Sequence, residues 1–303
     1  MNLLLSTFAF DLLPIFIIAG IGYALARWRG ASATTLTHVV FYALLPCFAY
    51  RLLMTSAATG RSFGLMVLLA VLVMSAMAFL GLLVSFALRL SRAETSVFLL
   101  VIMFSNGGNY GLPAISFAFG EEALSYGTVF FLTGSVLTNT VGAFLAAAGR
   151  RSLGAALLSV LRMPALYGIA AAVLSLTTGF GMPTPLMRPI TLLSDAALPM
   201  MILVLGMQLE RAVMPRRPAL VAVAVTVSLV AAPLIALGLT SLLEVTGAAR
   251  QAVVVLASMP VAVATTILAL EYDNSPDFVT GAVFLSTLLS PLTLTPLIAY
   301  LRG

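Results

Sequence analysis

Lysine is absent from this 303-residue chain, and cysteine, histidine and tryptophan occur once each, as Cys47, His38 and Trp28. A lone thiol cannot pair within the chain, which excludes a disulfide-stapled fold. A lone histidine without a cysteine cluster excludes the usual metal-protease ligand sets. Charge is scarce as well: 8% of residues are charged, where soluble domains carry roughly 25%. With 61% hydrophobic residues and a mean hydropathy of +1.14, there is too little polar surface to cover a water-soluble core. Disordered and collagenous chains are excluded by the same figures, and no length remains for a separate soluble domain. One mid-membrane aspartate is too few for an aspartyl dyad and the P-loop pattern is missing, so the chain is expected to be no enzyme and to hold no cofactor.

What remains is an all-α polytopic membrane protein whose first partner is the lipid bilayer. Crossing a hydrocarbon core of about 30 Å takes about 20 apolar residues. Stretches of that kind lie near 8–26, 36–55, 63–88, 94–119, 124–148, 163–181, 186–208, 218–243, 250–271 and 278–301. Ten transmembrane helices are therefore expected. The stretch from Ser152 to Leu161, between Arg151 and Arg162, is expected to lie in the membrane surface.

The net charge of +5 comes from fifteen arginines. No basic run exceeds Arg150-Arg151, so nucleic acid is not an expected partner. With the N-terminus outside, the inner loops hold ten arginines and the outer side five: Arg51, Arg61, Arg188, Arg250 and Arg302. The positive-inside rule then puts both termini on the outer side. Arginine in place of lysine, with abundant Ala, Leu and Val, fits a GC-rich bacterial genome, and hence an inner-membrane location.

Ten spans divide into five and five, so the second half runs inverted relative to the first. The expected division is 1–150 and 151–303. Pro14, Pro46 and Pro113 in spans one, two and four correspond to Pro164, Pro199 and Pro260 in spans six, seven and nine, at offsets of 150, 153 and 147. Gly127, Val129, Phe130 and Thr133 meet Gly281, Val283, Phe284 and Thr287 at an offset of 154. Inverted repeats with interrupted helices are the construction of many secondary transporters.

The fourth span contains Ser105-Asn106-Gly107-Gly108-Asn109-Tyr110-Gly111-Leu112-Pro113. Glycine permits unwound backbone, and proline lacks an N–H and crowds the preceding turn. Unpaired backbone at mid-depth is costly unless it lines a cavity. One reading is a broken helix forming a binding site with the amides of Asn106 and Asn109, together with Gly107, Gly111 and Pro113. The other is a simple proline kink. Ser258-Met259-Pro260 is the counterpart in span nine, which adds Ser258 and Pro260 to the candidate site. If both helices break and cross, each following half-helix aims free N–H groups and a partial positive charge at the midplane, an anion site.

Asp195 lies about midway along span seven. A carboxylate at that depth is expensive, and it is expected either to couple transport to a proton or sodium ion or to make a structural hydrogen bond. His38 is expected at the inner interface and Asp11 at the solvated outer end of span one.

In these residues the chain resembles the auxin efflux carrier family, which includes plant auxin carriers and bacterial permeases described as malonate or malate transporters. The resemblance runs from His38–Pro46 through Ser105–Pro113 and Ser194-Asp195-Ala196 to Met259-Pro260, Glu271-Tyr272-Asp273, Ser275-Pro276-Asp277 and Thr280-Gly281-Ala282-Val283-Phe284. It implies a ten-helix fold like that of bile-acid/sodium symporters and sodium/proton antiporters, with spans four and nine crossed. It further implies transport of a small organic anion such as malonate, malate or an auxin-like acid, with Asn106 as the crossover asparagine and a homodimer as the assembly it points to. The competing expectation is a sodium or proton antiporter that uses Asp195 and moves no organic solute. A non-transporting membrane sensor, the third, gives no use to the broken helices.

Overall fold

The computed structural model describes residues 3–55, 60–147, 163–210 and 217–303, and every regular element among them is helical. The surface stretch expected at 152–161 lies outside the described residues. Seven helices among those described are long and apolar enough to cross a membrane: α1 (Leu3–Arg29), α2 (Ala33–Thr55), α3 (Arg61–Ala87), α5 (Gly107–Ala146), α7 (Thr184–Leu209), α8 (Pro218–Leu242) and α11 (Pro276–Leu301). Shorter helices stand at α4 (Arg92–Met103), α6 (Pro164–Thr178), α9 (Gly247–Ala257) and α10 (Val263–Glu271). The expected stretches 94–119 and 250–271 thus do not form single helices. Each is divided by a few residues of extended chain.

At 40 residues, α5 would run about 60 Å if straight, twice the hydrocarbon thickness. It is folded back on itself at Gly120, whose φ of 77° and ψ of −165° no side-chain-bearing residue adopts cheaply. Beyond that turn Gly127 packs against Ile115. The helix starts follow ordinary capping rules. Ser91 and Glu94 form a reciprocal capping box at α4, with bonds of 3.3 and 2.8 Å, and Ser32 caps α2 through Thr35 N–H at 3.2 Å.

Prolines inside the helices leave a regular trace. Pro14, Pro46, Pro113 and Pro233 each stand two residues after a five-residue π-turn, at Phe8–Leu12, Val40–Leu44, Gly107–Gly111 and Val227–Ala231. The proline ring crowds the carbonyl four residues back and offers it no N–H. The chain before it widens, and the N–H groups of Leu13, Leu45 and Leu112 reach five residues back to Phe8, Val40 and Gly107.

The helices associate in two groups. In the first, α1 packs on α7 and α2 packs on α6 and α7. In the second, α3, α4, α5, α8, α9, α10 and α11 pack on one another, and a narrower seam separates them from the first. Lipid tails are as apolar as the helices, so close van der Waals packing replaces the hydrophobic effect as the force between helices. The first group achieves this with glycine. Gly22 lies against the Leu203 carbonyl, Gly206 against Ala19 and Gly168 against Pro46, and a methyl group at any of them would overlap the facing backbone.

Candidate functional site

Between α4 and α5 the chain is extended over residues 104–106, and between α9 and α10 it is irregular, with residues 260–262 facing that break. The two segments cross and pair as an antiparallel bridge between Ser105 and Val261. Asn106 N–H donates to the Pro260 carbonyl at 2.7 Å, and Ala262 N–H donates to the Phe104 carbonyl at 2.8 Å. Side chains complete the pairing. Ser105 Oγ donates to the Leu256 carbonyl at 2.8 Å, and Ser286 Oγ accepts the Val261 N–H at 3.1 Å. Backbone groups that would be costly in lipid are therefore satisfied by the opposite break.

The helices that follow begin at a cavity of about 120 Å³, lined by Asn106, Gly107, Gly108, Asn109, Val263 and Ala264, with Thr37, Ser135, Thr138, Asn139 and Gln208 on other walls. Val263 and Ala264 are the first residues of α10, whose N–H groups have no earlier helical carbonyl to meet. Asn106 is 5% exposed, and its Nδ2 has no hydrogen-bond partner among the described residues. A buried amide left unpaired costs about 1–3 kcal/mol. Asn109 Nδ2 donates to Gln208 Oε1 at 3.2 Å. Among the described residues none that lines the cavity is charged, and the starts of α5 and α10 bring the positive ends of two helix dipoles to it. An unpaired amide donor beside two helix starts suits an anion.

A second cavity, of about 370 Å³, shares Thr37, Gln208, Val263 and Ile267 with the first and continues past Thr34, His38, Leu270 and Phe284. It forms a mostly apolar vestibule on the side where Arg27 pairs with Glu210 at 3.3 Å. His38 is exposed at its wall, edge-on to Tyr42.

The candidate residues separate into two sets. Asn106, Gly107 and Asn109 line the cavity. Gly111 is buried behind it against Leu256 and Met259, and the Ser258 hydroxyl is spent on the Val254 carbonyl at 2.6 Å. Pro260 contributes its carbonyl to the crossing and not its ring to the cavity. The break opens at Phe104, well before Pro113. The proline stands two residues after the π-turn at Gly107–Gly111, and the crossing segment opposite pairs with the chain at the break.

Asp195 is not the lone mid-depth carboxylate that its span suggests. Its side chain is 58% exposed and is ion-paired with Arg51, at a separate cavity of about 160 Å³ lined also by Ser116 and Glu121. Asp11 differs in the opposite direction. It is 2% exposed, and Arg302 holds it at 2.7 Å while also donating to the Ala118 carbonyl at 3.0 Å. Its position near the N-terminus suggests a solvated end, yet α11 returns the arginine to cover it. Gln208 is the site residue that sequence reasoning missed. As the final residue of the apolar stretch 186–208, it reads as a boundary, and its partner Asn109 lies 99 positions away.

The family described as membrane transport protein matches residues 7–153 and 148–298 of the chain. An uncharacterized transporter of Methanothermobacter thermautotrophicus is 29% identical over 191 residues, 62% of this chain and 62% of that protein. An uncharacterized transporter of Methanocaldococcus jannaschii is 23% identical over 210 residues, 68% of each chain. The aligned part thus spans a little under two thirds of the first relative's length.

Proposed function

Because the chain belongs to the membrane transport protein family, we propose that it is a secondary carrier of small organic anions whose single site is the crossing of the two broken helices. The observation that carries this reading is the buried, unpartnered Nδ2 of Asn106, beside the starts of α5 and α10 in a cavity without a charged side chain. A carboxylate placed there accepts from Asn106, and the helix starts stabilise its charge. A sodium or proton antiporter would want a carboxylate at the crossing, and among the described residues none that lines it is acidic. Asp195 has no part in this reading. Arg51 already balances its charge, and it precedes Gln208 by 13 residues, about 20 Å of helix.

We read the chain as two inverted five-span halves, near 1–150 and 151–303, in a bacterial inner membrane with both termini outside. The second helix group carries the site and shifts against the glycine-zipped first group, in the manner of an elevator. The vestibule lies on the side that the arginine count makes cytoplasmic, so this arrangement opens the site inward.

Heat unfolding of the purified carrier with malonate, malate or an aromatic acetate, each against sodium chloride at equal ionic strength, tests the reading. At least one carboxylate should raise the midpoint in a saturable way. Asn106→Ala should weaken that protection by about 1–3 kcal/mol, the value of one or two hydrogen bonds to a charged acceptor. Stabilisation by sodium alone, or equal protection of Asn106→Ala, would count against it.

A further inference from the structure

Gln208 belongs to α7 of the first helix group, and Asn109 to the opening turn of α5 in the second. Their side chains meet across the seam, Asn109 Nδ2 donating to Gln208 Oε1 at 3.2 Å. Gln208 also lines both the cavity and the vestibule, so it stands at the passage between them. From this geometry, and resting on the anion-carrier reading, we infer that the Gln208 carbonyl occupies the place of a substrate oxygen in the empty site. It thereby ties the two helix groups together until an anion displaces it.

The argument is one of competing acceptors. Asn109 Nδ2 is directed at a neutral amide oxygen, and hydrogen bonds to an ionised acceptor are roughly twice as strong. A carboxylate entering beside Asn106 takes over the Asn109 N–H and releases Gln208. In the empty carrier the bond crosses the seam and opposes movement of one group past the other. In the loaded carrier the same donor bonds to a substrate that travels with its own group, so the seam loses that tie. A second tie, Asp11 to Arg302, joins α1 to the end of α11 on the far side. Neither residue lines the cavity, so that tie does not distinguish a loaded carrier from an empty one. The loaded site therefore crosses more readily than the empty one, and the carrier favours exchange of one anion for another over net flux. A bond between neutral groups is worth a factor of about three to ten, which sets the size of the bias.

Two substitutions with opposite signs test this. Gln208→Met keeps the length and removes the acceptor; Gln208→Glu keeps the length and supplies a stronger one. In a Cys47→Ala background, spin labels at the exposed positions Leu192 on α7 and Leu292 on α11 report the distance between groups. Without ligand, Gln208→Met should broaden the distance distribution and Gln208→Glu should narrow it, and saturating malonate should broaden the wild type towards Gln208→Met. In proteoliposomes loaded with labelled malonate, the ratio of exchange to net efflux, and not either rate alone, should fall about three- to tenfold in Gln208→Met. A ligand-free distribution unchanged in both variants overturns the inference, whatever the carrier transports. If the variants differ as expected but no carboxylate alters the wild type, the tie stands and the anion reading fails.

Discussion

Asp11 and Asp195 show how far two carboxylates in membrane-spanning helices can differ. Asp11 is almost wholly enclosed and depends on Arg302, whereas Asp195 shares an exposed ion pair with Arg51. Breaking a buried pair leaves a charge with no compensation. Arg302→Ala should therefore lower stability by about 3 kcal/mol, and Asp11→Asn in the same chain should recover much of the loss. Chemical unfolding in a fixed detergent measures both. A double variant no more stable than the single one would mean that Arg302 acts by packing over Phe119, whose ring lies 6.0 Å away, and not by charge. Neither pairing can be read along the chain, since Asp11 and Arg302 are 291 positions apart and Arg51 and Asp195 are 144 apart. Burial of a carboxylate is a property of what folds over it.

At the scale of the element, the breaks in α4–α5 and α9–α10 are held by main-chain bonds at Asn106 and Ala262, not by their prolines. Ala262→Pro removes the N–H that the Phe104 carbonyl accepts, and it should abolish transport while Pro113→Ala leaves the rate within a factor of about three. Flux in proteoliposomes distinguishes them, and equal loss in both would return the break to Pro113. The density of Gly107, Gly108, Asn109, Gly111 and Pro113 made an interrupted helix legible, and Pro260 marked its counterpart. The position of the break was not legible. It depends on a strand-like pairing between segments 156 residues apart, Ser105 with Val261, which no local propensity encodes. Helix type, by contrast, followed from composition alone, because lipid demands that each segment satisfy its own backbone.

In the whole molecule, the two helix groups are joined internally by different means. Gly22, Gly168 and Gly206 bring backbones into contact in the first group, and side chains fill the second. Gly206→Val should force α1 and α7 apart and lower the unfolding midpoint markedly, on the scale of about 3 kcal/mol seen for overpacked cores. Gly20→Val, where a side chain meets nothing within 4 Å, should be close to neutral. Similar losses at both positions would indicate a general effect on helix propensity and not a contact between backbones. The grouping itself was invisible in the sequence, since Gly20 and Gly22 read alike until α7 is laid against one of them.

The bridge at the crossing is made of peptide groups, which every residue supplies except proline at a donor position. Its bonds therefore do not depend on which side chains stand at Asn109, Val263 or Ala264. Selection, or a protein engineer, can exchange the chemistry that faces the cargo while the framework presenting it stays intact. On the proposed reading, a lineage built on this crossing can then diverge in what it moves faster than in how it is built, and preference for a new solute lies within reach of a few substitutions along two short stretches of chain.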